Sequence, residues 1–234
     1  MTKLLQPPWR IRFLVKTDSP TDIQIGQDSE DVFVDDLAGG SLLPLVSFDL
    51  STLNSDWHGR AHFVYGPSNC EMSAFRRVEE GTKLEYIGSV FYGSDSYELP
   101  DSFIDDDLVE EGGDIKPAYA ELIEVELPEL DLDADRYAIG DQIRSAIKPI
   151  NAKRRDAGHR SIRNEMGLLD PANTLGGPPL WLQSAPILKT PSGNRDLYFL
   201  GQIFTLHIGD LADFIIYSFY CPEEDVIVTS MQHT

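Results

Sequence analysis

Cysteine is almost missing from this chain. Cys70 and Cys221 are the only two, far apart and outside any CxxC or Cys/His spacing, so they build neither a disulfide framework nor a zinc site of ordinary spacing. Two free, buried thiols in a reducing compartment is the favoured reading, and one disulfide between them is the alternative. Long apolar runs are missing too. No stretch approaches the ~20 residues of a membrane span, and the segment from Met1 to Arg10 holds no apolar run of signal-peptide length, so the expectation is a cytoplasmic protein with no membrane partner. Basic residues are scarce: 19 Lys and Arg stand against 39 Asp and Glu, a formal charge of -20. Such a surface repels phosphate backbones, which disfavours nucleic acid and favours a basic protein partner; an acidic coat that serves only solubility is the plainer alternative.

What is present is ordinary globular material, 41% apolar and 25% charged, long enough at 234 residues to bury one sizeable core. The expected organisation is a single compact domain over 1–234, with two similar halves, 1–115 and 116–234, as its internal division. Strand signals dominate. Short alternating runs fill 9–34, Leu42–Leu50 reads as a buried strand, and Gly59–Tyr65 and Lys83–Phe91 read as further strands between glycine turns. Glu121–Leu127 alternates with period two, placing Ile123, Val125 and Leu127 inward and Glu124 and Glu126 outward. Near the end, 197–204, 214–220 and 226–229 read as three strands behind a Gly-Pro turn, two of them apolar on both faces and therefore central. One helix stands out: Ile139, Ile143, Ile147 and Ile150 recur at helical spacing over 136–157, with Pro149 expected to kink or end it near Lys148. The run 94–114 carries nine carboxylates and no basic residue, so it is expected as an exposed loop.

Motifs for chemistry fail on inspection. Asp131-Leu-Asp-Ala-Asp135 opens like a calcium loop, but Arg136 stands where Gly is needed and Gln142 where a bidentate Glu belongs. His58 and His62 are four apart in a strand-like context, which suits a surface or strand-end pair better than a metal. Ser94 lacks a GxSxG elbow, Cys70 lacks a basic environment, and Gly176-Gly177 lacks the spacing of a phosphate loop. No catalytic, metal or cofactor-binding residue is nominated, and no cofactor is expected. A carboxylate dyad of the glycosidase kind is a matter of fold, not of spacing.

At the C-terminal end, Leu175-Gly-Gly-Pro-Pro-Leu-Trp-Leu-Gln183, Tyr198-Phe-Leu-Gly-Gln-Ile203, Gly209-Asp210 and Ile216-Tyr-Ser-Phe-Tyr-Cys221 resemble the second half of the bacterial YwqG-like family of unknown function. Leu45–Leu50 and Gly59–Tyr65 resemble the corresponding strands of its first half, with Ser47 standing where that family has Gln. The resemblance implies an α+β fold that is β-rich, with mixed or antiparallel sheets in two similar halves, an internal duplication, and few helices. It also implies a setting among accessory proteins of bacterial toxin and secretion loci.

Joined to the acidic charge, this leads to the expectation of an acidic protein-binding module, an immunity-type protein that neutralises a cognate toxin by occluding its basic active site. Asp105, Asp106, Asp107, Glu110 and Glu111 are the candidate contacts. The alternative is a hydrolase or small-ligand protein with a pocket between the halves near Trp181, Gln183 and Gln202.

Overall fold

The computed structural model describes residues 9–34, 42–66, 70–91, 93–99, 115–127, 130, 136–162 and 165–233. Strands β1 (Trp9–Thr17), β2 (Ile23–Ile25), β3 (Leu43–Asp49), β4 (Arg60–Tyr65), β5 (Cys70–Val78) and β6 (Lys83–Phe91) come from the first half of the chain. From the second come β7 (Ala118–Leu127), the short pair β8 (Ser161–Ile162) and β9 (Glu165–Met166), then β10 (Thr174–Leu175), β11 (Tyr198–Phe204), β12 (Phe214–Cys221) and β13 (Val226–His233). The α-helices are α1 (Ser29–Val32) and α2 (Arg136–Asp156).

Eleven strands form one sheet in the order β4-β3-β2-β7-β1-β10-β11-β12-β13-β5-β6, and every ladder in it is antiparallel. The protein is thus β-rich with few helices, as expected, and its sheet is antiparallel throughout. Strands from the two halves interleave: β7 lies beside β2, β10 beside β1, and β13 beside β5.

The sheet curls until it nearly closes. Its inner face buries Leu14, Phe48, Phe63, Phe75, Ile216 and Ile227 in one cluster. Edge strand β4 comes against β12, where the rings of Tyr65 and Phe214 meet at 6.1 Å, and Trp57 sits edge-on between Tyr198 and Tyr220 at 5.2 Å from each. Two covers lie outside. Helix α2 lays Ile139, Ile143 and Ile147 over Ile11, Phe13 and Val15 of β1, joined by Ile123, Val125 and Leu127 of β7. An irregular strap carrying Trp181, Leu182, Leu188 and Leu197 covers the outer faces of β11 to β13, which explains why all eight residues of β12 are buried. Each ~100 Å² of apolar surface so covered contributes roughly 2.5 kcal/mol.

The helix expected over 136–157 is α2, and of the two outcomes expected at Pro149, a kink or an end, the end does not occur: α2 runs through Pro149 to Asp156. Pro149 and Ser145, the residue whose carbonyl loses its partner, are both exposed, so water takes the bond that proline cannot make. Strand β5 carried no sequence signal strong enough to be read, because its apolar residues do not alternate cleanly and Glu71 and Arg76 alone face solvent.

One local pattern of strand, irregularity and 3-10 turn occurs twice. A shift of 155 residues carries Leu43–Asp49 onto Tyr198–Phe204 and the following 3-10 turn Leu50–Thr52 onto Thr205–His207. The same shift carries the irregularity at Pro44/Val46 onto that at Phe199/Gly201, and the pair Ser47↔His62 onto Gln202↔Tyr217. Gly26 N–H donates to Leu45 carbonyl and Gly176 N–H to Leu200 carbonyl, both at left-handed φ where glycine is favoured.

Candidate functional site

A buried arginine holds the place where the sheet fails to close. Arg77 of β5 has a side chain only 4% exposed. Its Nη1 donates to Asp225 Oδ1 at 2.7 Å and to Tyr220 Oη at 3.0 Å, its Nε donates to Arg60 carbonyl at 3.1 Å, and its Nη2 donates to His58 carbonyl. The guanidinium therefore ties the start of β4 to the β5–β6 hairpin and to the β12–β13 turn. The chain bends to admit it: Glu79, Glu80 and Asp225 all have left-handed φ, and a Cβ at Gly59 or Gly81 would collide with the guanidinium. Burial, followed by the nearby positive charges of Arg60 and Arg77, lowers the pKa of His62 from 6.5 to about 3. His62 is therefore neutral, held by Ser47 Oγ at 2.7 Å from Nδ1. This corrects its expected place at the surface; His58 is exposed and the two share no site.

A groove of about 950 Å³ is lined by Cys70, Met72, Val90, Gln183, Ile187 and Met231 among others. Lys189, Arg195, Glu71 and Asp95 line it as well, so its charges are mixed. Of the three expected pocket residues only Gln183 lines it. Trp181 packs on Tyr217 and Phe219, with ring centroids at 4.4 and 5.8 Å, and helps to hold the strap down. Gln202 is buried: its Oε1 accepts Leu180 N–H at 2.8 Å and its Nε2 donates to Pro171 carbonyl at 2.7 Å. Tyr217 Oη donates to Leu180 carbonyl and accepts Leu182 N–H. Trp181 and Gln202 thus pin the strap and do not meet Gln183 in a pocket.

One arrangement has the outline of a nucleophile with its base. Ser161 Oγ lies 3.5 Å from His207 Nε2, and Asn173 Nδ2 lies 2.7 Å from His207 Nδ1. The tautomer forbids the chemistry. Asn173 Oδ1 accepts Phe204 N–H at 2.9 Å, which assigns Nδ2 as the donor to Nδ1, so the neutral ring carries its proton on Nε2, facing Ser161. A base must present a lone pair there. Burial lowers the pKa of His207, opposed by Asp170 and aided by Lys16, which keeps the ring neutral. Cys70 and Cys221 are free and buried, and desolvation raises both thiol pKa values, the opposite of an activated nucleophile. Among the described residues no group of three His, Cys, Asp or Glu side chains is placed to hold a metal ion.

Asp105, Asp106, Asp107, Glu110 and Glu111 lie outside the described residues, as does Asp131–Asp135. The described carboxylates sit on many separate elements, from Asp18 and Asp28 to Glu121, Asp170 and Glu223. Ion pairs among the described residues engage Glu85, Glu124, Asp141 and Asp225. No helix among them is long and apolar enough to cross a membrane. Set beside known proteins, the chain matches no family model, no curated protein and no solved structure.

Proposed function

We propose that the protein is an acidic protein-binding module of immunity type, which neutralises a cognate bacterial toxin in the cytoplasm by occluding its basic active site. The observation that carries this reading is the charge itself: 39 acidic residues stand against 19 basic ones, so even complete internal pairing would leave the excess of 20 negative charges unmet. Complementary charge accelerates encounter with a cationic partner and selects against anionic ones. The resemblance to YwqG-like proteins supplies the toxin-locus setting. We further propose that halves 1–115 and 116–234 descend from one duplicated α+β unit, a reading supported by the recurrence of strand, irregularity, 3-10 turn and strand at one constant shift.

The test is the exchange of Asp105, Asp106, Asp107, Glu110 and Glu111 for Lys, assayed against a protein partner recovered by co-purification from the native strain. Protection should be lost and the association rate should fall about tenfold or more at low salt. Unchanged protection and unchanged association rate would sink the reading.

The groove favours a second reading, a small-ligand site, because it is roomy and lined by both apolar and polar side chains. Filling it with Met231→Trp should abolish binding of any ligand that stabilises the protein in a thermal-shift screen. A screen in which no compound raises the melting temperature argues against this reading.

A further inference from the structure

Charge is segregated along the chain, and the fold displays the segregation. Between Arg144 and Arg163 stand seven basic residues against one acid, Asp156, leaving 12 basic against 38 acidic residues elsewhere. Most of this basic run is helix α2, anchored on its apolar side by Ile139, Ile143 and Ile147 and by Asn151, whose side chain exchanges two hydrogen bonds with the Leu169 backbone. On its other side Tyr137, Arg144, Lys148 and Arg155 recur at helical spacing along one stripe. Tyr137 is 67% exposed and the Arg144 side chain 60%, with Lys148 and Arg155 exposed as well. An open groove of about 490 Å³ follows the stripe past Asp141, Ser145 and Ile147. Arg144 pairs with Asp141 at 2.7 Å, while Lys148 and Arg155 form no ion pair among the described residues.

Helix stability accounts for part of this. Lys153, Arg154 and Arg155 occupy the last turn, where cations offset the carbonyl end of the helix, and Arg154 also binds Gly167 carbonyl at 3.0 Å. That effect fades within one turn, so it does not explain Arg144 and Lys148, which lie further back. An exposed aromatic and unpaired cations on one rigid stripe are the composition of an interface.

We propose that the outer stripe of α2 is a docking surface whose occupant is a second copy of this chain, met through that copy's acidic surface. Charge complementarity selects the occupant. Outside the basic run the chain has 26 more acids than bases, so every copy offers the counterpart that its own helix leaves unmet. A long polyanion such as duplex DNA would have to extend from the stripe across repelling carboxylates, whereas a folded copy presents carboxylates locally. Two highly negative molecules also repel at long range. At about 0.15 M salt that repulsion is screened beyond ~8 Å while pairs in contact persist, and near 1 M the pairs weaken too. Association is therefore expected at intermediate salt.

Sedimentation velocity over a concentration series at about 0.15 M and about 1 M salt tests the proposal. The parent protein should show a concentration-dependent rise above the mass of one chain at the lower salt, lost at the higher. The triple variant Arg144→Glu, Lys148→Glu, Arg155→Glu should weaken self-association at least tenfold while its circular dichroism stays unchanged. If that variant is unfolded, Lys148→Glu alone, at an exposed position, should weaken association measurably. A parent that stays monomeric at both salts overturns the proposal, as do variants that associate like the parent. Tighter binding of a labelled DNA duplex than of a second copy, lost in the same variants, would also overturn it.

Discussion

The strand pairs β3–β4 and β11–β12 share register, irregularity and connecting turn, yet their continuations differ. After β12 the chain turns at once into β13 and zips an eight-residue ladder from Cys221↔Val226 to Phe214↔His233. After β4 it enters β5, which pairs with β13 and β6 instead, so β4 keeps only β3 as a ladder partner among the described strands. Backbone bonds close one junction; one guanidinium closes the other. The same difference appears on the outer faces. Gln202 and Tyr217 hold a strap through backbone groups, whereas their counterparts Ser47 and His62 bond mainly to each other. A junction made by a ladder spreads its stability over many groups, and a junction made by one side chain concentrates it.

Arg77→Met should break that contrast most severely. It leaves the carbonyls of His58 and Arg60 without this donor and Asp225 without its cation, though Asp225 keeps the Tyr220 hydroxyl, for an expected loss of roughly 2–4 kcal/mol in urea denaturation. Hydrogen exchange should then accelerate in β4 and spare β12. Equal acceleration in both would show that the seam is no weaker than the ladder.

Acid should act next. The folded-state pKa of His62, about 3, lies below its ordinary 6.5, so the unfolded chain takes up the proton first as pH falls. The contribution is present above pH 6.5 and is lost progressively as pH falls toward 3, with a slope approaching ~1.4 kcal/mol per pH unit inside that window. His62→Gln should flatten this part of the stability profile, read by chemical denaturation at successive pH values; an unaltered slope would assign the acid sensitivity elsewhere.

Tyr217→Phe removes the hydroxyl that serves Leu180 and Leu182 and should cost about 1–3 kcal/mol, loosening the strap before the sheet. Limited proteolysis within 183–195 should detect it. Ser47→Ala deletes one buried bond in the matching position and should cost only about 1 kcal/mol. A larger loss at Ser47 than at Tyr217 would reverse the ranking of the two faces.

Much of the sheet was legible because its signals are local. Period-two alternation located β7, apolar runs marked β3 and β12, and isoleucines at helical spacing located α2. The runs 42–50 and 197–204 were read as strands and hold β3 and β11. The seam was not legible. Arg76 and Arg77 are adjacent and chemically alike, but the first is exposed beside Glu85 and the second is buried among acceptors from two distant segments. The one local hint was Glu79-Glu80-Gly81, a turn whose left-handed backbone makes room for the guanidinium. Trp181 and Gln202 were expected beside a pocket, and their neighbours make them fasteners, while groove residues such as Met72 and Lys189 gave no signal.

By itself the sequence determined the charge, the scarcity of cysteine, the strand-rich character and the amphipathic helix, since each follows from residue type and spacing within one segment. Only the tertiary structure decided that β5 would cross to β13, that Arg77 would be the buried one of two arginines, and that His207 would hold its proton on the side facing Ser161. Those outcomes depend on which distant groups supply solvation and hydrogen bonds once water is excluded, and no spacing along the chain encodes that directly.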